Sequence, residues 1–207
     1  DISNDALRWY HFMTDVDMAG MKVQISRIGY TGELGYEIML PVDSAQAFWD
    51  ALFEVGEPLG LLPAGAACVM MCRIEAGLIM GEVEYDHTMT PYECRMAWSV
   101  DLKKDHFHGK EALIEAQKNP SLDIVSVLLP GEGEYDGVEL MDNTKKVGIV
   151  TMAIPSPYLD GQFLGLARIN RAIASVGKKL DLNMESNGQA EIVATPVYDP
   201  ERVRSRS

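Results

Sequence analysis

The chain has 207 residues, enough for one large or two small domains with buried cores, and its 47% hydrophobic and 24% charged content is that of a globular protein, far from the disordered or fibrous extremes. A formal net charge of −13 repels phosphate at long range. It argues against a nucleic-acid groove or an acidic membrane surface and requires local cations to hold any anionic ligand.

In chain order, residues 22–30 and 35–40 run apolar or alternate with β-formers, and Gly29, Gly32 and Gly35 between them supply the backbone freedom to reverse direction. This predicts a β-hairpin with Tyr30, Glu33 and Tyr36 on or beside its bend. A carboxylate held between two aromatic rings suits a flat, polar ligand, and the same pattern fits a solvated turn glutamate; the local residues leave both readings open. The segment PVDSAQAFWDALFEVG then switches to helical spacing. Asp43 or Ser44 is placed to cap, Ala47, Phe48, Ala51 and Leu52 form the apolar face, and Gly56 ends the helix.

A second helix is predicted from Ala64 to Ile79, with Met70, Met71, Ile74 and Leu78 as core residues. Pro63, Arg73 and Glu75 interrupt the apolar run at 59–81, so it cannot cross a bilayer. Cys68 and Cys72 stand four apart on this helix, but no nearby His or second Cys pair completes a tetrahedral set, and both read as core thiols. Three cysteines, an odd number, fit a reducing cytosol, and Asp1-Ile2-Ser3-Asn4 has neither the basic nor the apolar region of a signal peptide; a cytoplasmic protein is expected.

Residues 81–95 are polar, acidic and turn-rich, which predicts a loop, with His87 inside it. A short strand is expected around Ala97–Val100 and a helix from about Gly109 to Gln117, ended by Asn119-Pro120, a plausible domain boundary. His106 and His108 read as surface or interface histidines rather than a metal pair. Beyond the boundary, DIVSVLLP, KKVGIVTMAI, FLGLARI, KKLDLNM and QAEIVATPVY are short β-like runs separated by Gly, Pro and Asp, the pattern of a small barrel or sandwich. The closing VRSRS reads as a frayed tail.

Four segments, GYTGELGYEI at 29–38, RIEAGLIMG at 73–81, TPYECRMAWSVDLKKDHFHGKEAL at 90–113 and VGIVTMAIPSPYLDGQFLGLARI at 147–169, together resemble the glycine cleavage T-protein (aminomethyltransferase) superfamily, which includes folate-dependent demethylases and the folate-binding halves of sarcosine and dimethylglycine dehydrogenases. PVYDPERVR at 196–204 is similar to the closing motif of the dehydrogenase branch. The resemblance implies an α+β protein: the latter part of a T-protein-like folate-binding domain at 1–118, then a C-terminal β-barrel-like domain at 119–207. It implies tetrahydrofolate as cofactor and one-carbon transfer from an aminomethyl or N-methyl donor. Alternatives are demethylation of another small methylated compound and a folate-binding or interaction module without turnover.

The resemblance also places residues. Glu33 would receive the pterin edge, because two carboxylate oxygens can accept from a ring N–H and an exocyclic amine together. Tyr30 would lie near the pterin face, and Tyr36 fits the core better. Arg73 matches the second arginine of the family pattern R-D-x-L-R-x-E-x-G, as a cofactor contact or as the structural partner of Glu75 or of a loop carboxylate. The first arginine, the natural partner of the ligand's glutamyl carboxylate, is replaced by Val69, and the following Asp by Met70. A lost charge-assisted pair of that kind is worth about 1.5–3 kcal/mol. Thr151-Met152-Ala153 stands where the family commonly has Thr-Ser-Gly. The family's catalytic Asp belongs to an N-terminal half before the region where this chain starts, and none of Asp1, Asp5, Asp15 or Asp17 sits in its motif. The expected partners are therefore a small methylated amine or similar donor and the missing N-terminal half or a separate partner chain. A homo-oligomer is a further option, while nucleic acid and membrane are not expected.

Overall fold

The computed structural model describes residue 3, residues 5–185 and residues 188–207, so Asp1, and with it most of the opening tetrapeptide, lies outside the described residues. The chain divides into two compact units, Asp1–Cys72 with Glu201–Ser207, and Arg73–Pro200.

In the first unit, β1 (Phe12–Met18), β2 (Met21–Ser26) and β3 (Glu37–Met39) form an antiparallel sheet in that order. Strand β1 was not expected from the sequence. Its alternation is broken by a bulge between Met13 and Val16, where Asp15 takes a left-handed conformation (φ 56°). Ala19 and Gly20, both with positive φ, join it to β2 as a tight two-residue turn requires. Val23 and Ile25 of β2 are buried, as is Arg27 just beyond the strand on the same alternation; Leu7 is buried too, and Arg27 donates to its carbonyl. The expected hairpin is looser than predicted. Strands β2 and β3 pair only from Gln24–Met39 to Ser26–Glu37, leaving residues 27–36 as a loop whose neck closes where the backbones of Gly29 and Gly35 come within 3.7 Å of an added Cβ.

Helix α1 (Ala45–Gly56) forms where periodicity placed it, but of its expected apolar face only Phe48 is buried. Ala47 and Leu52 are exposed, as are Trp49 and Val55. Helix α2 (Ala66–Glu75) is likewise exposed at its start and buried at its end, through Arg73, Ile74 and Glu75. The expectation of core thiols fails at Cys68, which is exposed, while Cys72 is partly buried and Cys94 buried. Among the described residues no helix is long and apolar enough to cross a membrane.

The second unit holds helix α3 (Lys110–Ala116) and a closed antiparallel barrel. Its strands are β4 (Leu122–Leu129), β5 (Glu139–Asp142), β6 (Lys145–Pro155), β7 (Phe163–Asn170), β8 (Lys179–Leu182) and β9 (Gln189–Val193), in the order β4-β7-β6-β5-β8-β9 with β9 returning to β4. Closure removes the exposed edges an open sheet would carry. The interior is aliphatic, with Val127, Leu140, Val150, Ala167, Ile169 and Ile192 among its fully or almost fully buried residues. Gly148 is required by packing, since a Cβ there would lie 2.7 Å from the Arg168 carbonyl oxygen on the paired strand. The strand expected at Ala97–Val100 is instead a 3-10 turn over Ala97–Ser99, closed by Ser99 N–H donating to Met96 O, with Trp98 exposed. The short run Ala97-Trp98-Ser99-Val100 pairs with no strand among the described residues.

Candidate functional site

The loop at 27–36 of the first unit carries the carboxylate singled out by its sequence. The Glu33 amide donates to the Thr31 hydroxyl at 3.3 Å, and Gly32 takes positive φ (80°), so the Thr-Gly-Glu run is a side-chain-pinned turn. Tyr30, Glu33 and Tyr36 are all half-buried. Both Glu33 oxygens accept from Arg204 Nε, at 2.9 and 2.8 Å, with the glutamate side chain 39% and the arginine 58% exposed. The tail bearing Arg204 is tied down from below: buried Arg27 donates to the carbonyls of Leu7, Arg206 and Ser207, and the Arg206 guanidinium lies 4.9 Å from the centre of the Trp9 ring. The frayed tail expected from VRSRS is therefore a docked one within this unit. Arg204 was quoted in the sequence but not connected to Glu33, and Arg27 was missed; its signal was a charge on the inward period of β2.

In the second unit the helix motif is absorbed by internal partners. Arg73 has no exposed surface; its Nη1 donates to Glu84 Oε2 at 2.6 Å and to Leu78 O at 3.2 Å, and its Nη2 meets Met152 Sδ at 2.9 Å. Of the partners considered for Arg73, the structure places the loop carboxylate Glu84 on it, while Glu75 is engaged elsewhere. Glu84 also accepts from the Met80 amide, and the Thr151 hydroxyl lies 3.0 Å from its other oxygen and 2.9 Å from Leu166 O. Thr151 reaches both because β6 carries a register shift between Val150 and Met152. Glu75 Oε1 accepts from the fully buried Ser156 hydroxyl and from the Tyr158 amide, which fixes the Ser-Pro turn after β6.

Two further carboxylates organise the loop at 81–95. Burial pushes the Glu93 carboxyl up, but hydrogen bonds from the amides and hydroxyls of Thr90 and Ser121 outweigh it and bring it down to about 2. The Thr88 hydroxyl and amide, then Arg168, bring Asp86 down to about 2. His87, His106 and His108 are exposed. Among the described residues no group of three or more His, Cys, Asp or Glu is arranged to hold a metal ion.

These features define an α+β protein whose barrel is locked by buried carboxylates and whose first unit presents one carboxylate on a closed loop. The sequence model described as the GCVT N-terminal domain matches residues 1–104, and that of the glycine cleavage T-protein C-terminal barrel domain matches residues 124–199. The chain belongs to the glycine cleavage T-protein family. It is 37% identical over 98% of its length to a trimethylamine-oxide aldolase from Ruegeria pomeroyi, covering 27% of that relative. It is 31% identical over 98% of its length to an aminomethyltransferase from Chloroherpeton thalassium, covering 56%. A crystal structure of the glycine cleavage system aminomethyltransferase T from Bartonella henselae matches 95% of this chain and 54% of that one, with a TM-score of 0.82 at 25% identity. The chain thus spans about a quarter to about half the length of these relatives.

Proposed function

We propose that the protein containing this chain transfers a one-carbon unit from an aminomethyl or N-methyl donor to tetrahydrofolate. The observation that carries this reading is Glu33: a half-buried carboxylate on a pinned loop, presenting both oxygens together to an N–H donor. The donor chemistry fits, since a pterin edge offers a ring N–H beside an exocyclic amine and an ionised carboxylate is acceptor-only. When bound, tetrahydrofolate supplies the amine that takes up the one-carbon unit. This chain's share is to bind and orient, and holding reactants in place is itself a large part of catalysis. In this reading Tyr30, half-buried on the same loop, would contact a ring face. Arg73, with no exposed surface, supports this role by locking its own unit rather than by touching ligand. The group that activates the amine is assigned to a part of the protein outside this span, consistent with the relatives' greater length.

Replacing Glu33 by Gln keeps shape but removes the charge and one acceptor. Calorimetry on the full-length protein should show tetrahydrofolate binding weakened by about 1.5–3 kcal/mol, and unchanged affinity would refute the assignment. The relative from Ruegeria pomeroyi, named for trimethylamine oxide, favours a second reading in which the donor is a small methylated amine or its oxide. Turnover assays across such donors separate it from an aminomethyl donor.

A further inference from the structure

Helix α1 runs directly into a 3-10 turn over Glu57–Leu59. Along this continuous path Trp49, Leu52, Val55 and Leu59 succeed one another at steps of three and four residues, the spacing of neighbours on a helix surface. All four are exposed, Val55 by 69% and Leu59 by 84%, and Leu62 just beyond is 80% exposed. Single apolar side chains on a surface are ordinary, but a stripe of large ones on one element marks an interaction surface. Helix propensity does not account for it, since Trp and Val are poorer helix formers than the Ala, Glu or Lys that a solvated face would carry.

Two observations point to what covers the stripe. The barrel of the second unit closes on itself and matches the C-terminal family domain, whereas the stripe lies in the first unit and is left open. This span covers 56% of the aminomethyltransferase from Chloroherpeton thalassium and 54% of the Bartonella henselae chain, so nearly half of each relative lies outside it. The other observation is charge. No Lys or Arg occurs between Arg27 and Arg73, while Asp50, Glu54 and Glu57 are exposed on the same helical path as the stripe. A second copy would set like charges against each other; an apolar face with a cationic rim is complementary. We propose that the α1 stripe is an internal interface of the full-length protein, covered by the polypeptide that relatives carry beyond this span through an apolar face rimmed with Lys or Arg.

Site-resolved maleimide labelling of the full-length protein tests this. Leu52→Cys and Leu59→Cys variants should label at least roughly tenfold more slowly than a Val176→Cys reference, at a position 70% exposed in the second unit. The protection should not depend on protein concentration, and it should weaken when Glu54→Lys and Glu57→Lys set like charge against the rim. Hydroxyl-radical footprinting of the unmodified protein should find native Leu52, Val55 and Leu59 shielded as well, so an interface loosened by the cysteines cannot mask the result. Footprinting that finds these side chains as open to solvent as Val176 overturns the proposal. Protection lost on dilution overturns it in favour of a second copy, and protection indifferent to the charge reversal overturns the cationic rim.

Discussion

The Arg73–Glu84 pair offers a quantitative test of what holds the second unit together. Both side chains are completely inaccessible, 2.6 Å apart, and Glu84 is also the acceptor for the Met80 amide at 2.7 Å. Glu84→Gln keeps the volume and one acceptor oxygen but leaves a guanidinium buried without its countercharge, with the Leu78 carbonyl and the Met152 sulfur as its remaining polar partners. Removing one member of a buried pair costs about 3–5 kcal/mol, because the desolvation of the survivor is no longer offset. For a protein of this size, roughly 2–4 °C of midpoint per kcal/mol makes that a fall of about 6–20 °C. Thermal and urea unfolding followed by far-ultraviolet circular dichroism would measure the midpoint shift and the free-energy loss. The double variant Arg73→Met with Glu84→Leu should recover most of the loss, since an apolar pair of similar size needs no countercharge. A loss below about 1 kcal/mol for Glu84→Gln, or a double variant worse than the single one, would show that the pair is not the electrostatic lock inferred from its burial.

Other perturbations read other parts of the fold. Glu93 is held near 2, below an ordinary 4.5, so its contribution is fully present above about pH 4.5 and is lost progressively as pH falls toward 2, up to about 3 kcal/mol. Unfolding midpoints measured from pH 7 to 3 should fall more steeply in wild type than in Glu93→Gln, and equal slopes would tell against this. Gly77 takes φ 61°, and an added Cβ would sit 2.9 Å from Thr195 Cγ2 and 3.2 Å from Pro196 Cα. Gly77→Ala should accordingly destabilise by about 1–3 kcal/mol through strain and overpacking, read by the same denaturation.

The barrel was legible because its strands are short β-like runs punctuated by Gly, Pro and Asp: the runs beginning at residues 123, 145, 163, 178 and 189 each became one of β4, β6, β7, β8 and β9. Strand β5 was not separated from its surroundings, being four residues of mixed character, ELMD. In the first unit the signal was weaker. Strand β1 carries Asp15 and Asp17 in its body, and α1 is apolar on more sides than it buries, so periodicity could not select the inward face. The partner of Arg73 was undecidable for a geometric reason. Glu75 is two residues away, and side chains at that spacing point to different sides of a helix, whereas Glu84 arrives from a loop whose path no local pattern encodes.

The fate of Arg73 bears on how a folate-like ligand would be gripped. Val69 stands four residues earlier, where the family pattern has an arginine for the ligand's glutamyl carboxylate. Arg73 is the sole basic residue of α2, and its charge is already matched by Glu84 with no exposed surface. The helix therefore presents no accessible cation to an anionic tail, and a net charge of −13 gives no long-range attraction to compensate. On the reading proposed above, Glu33 and Tyr30 would instead grip the other end of the molecule, its donor edge and flat ring. A recognition mode weighted toward the ring tolerates a shortened or uncharged tail. On that reading, losing one arginine from the helix changes which folate forms the protein accepts while leaving the Glu33 carboxylate undisturbed.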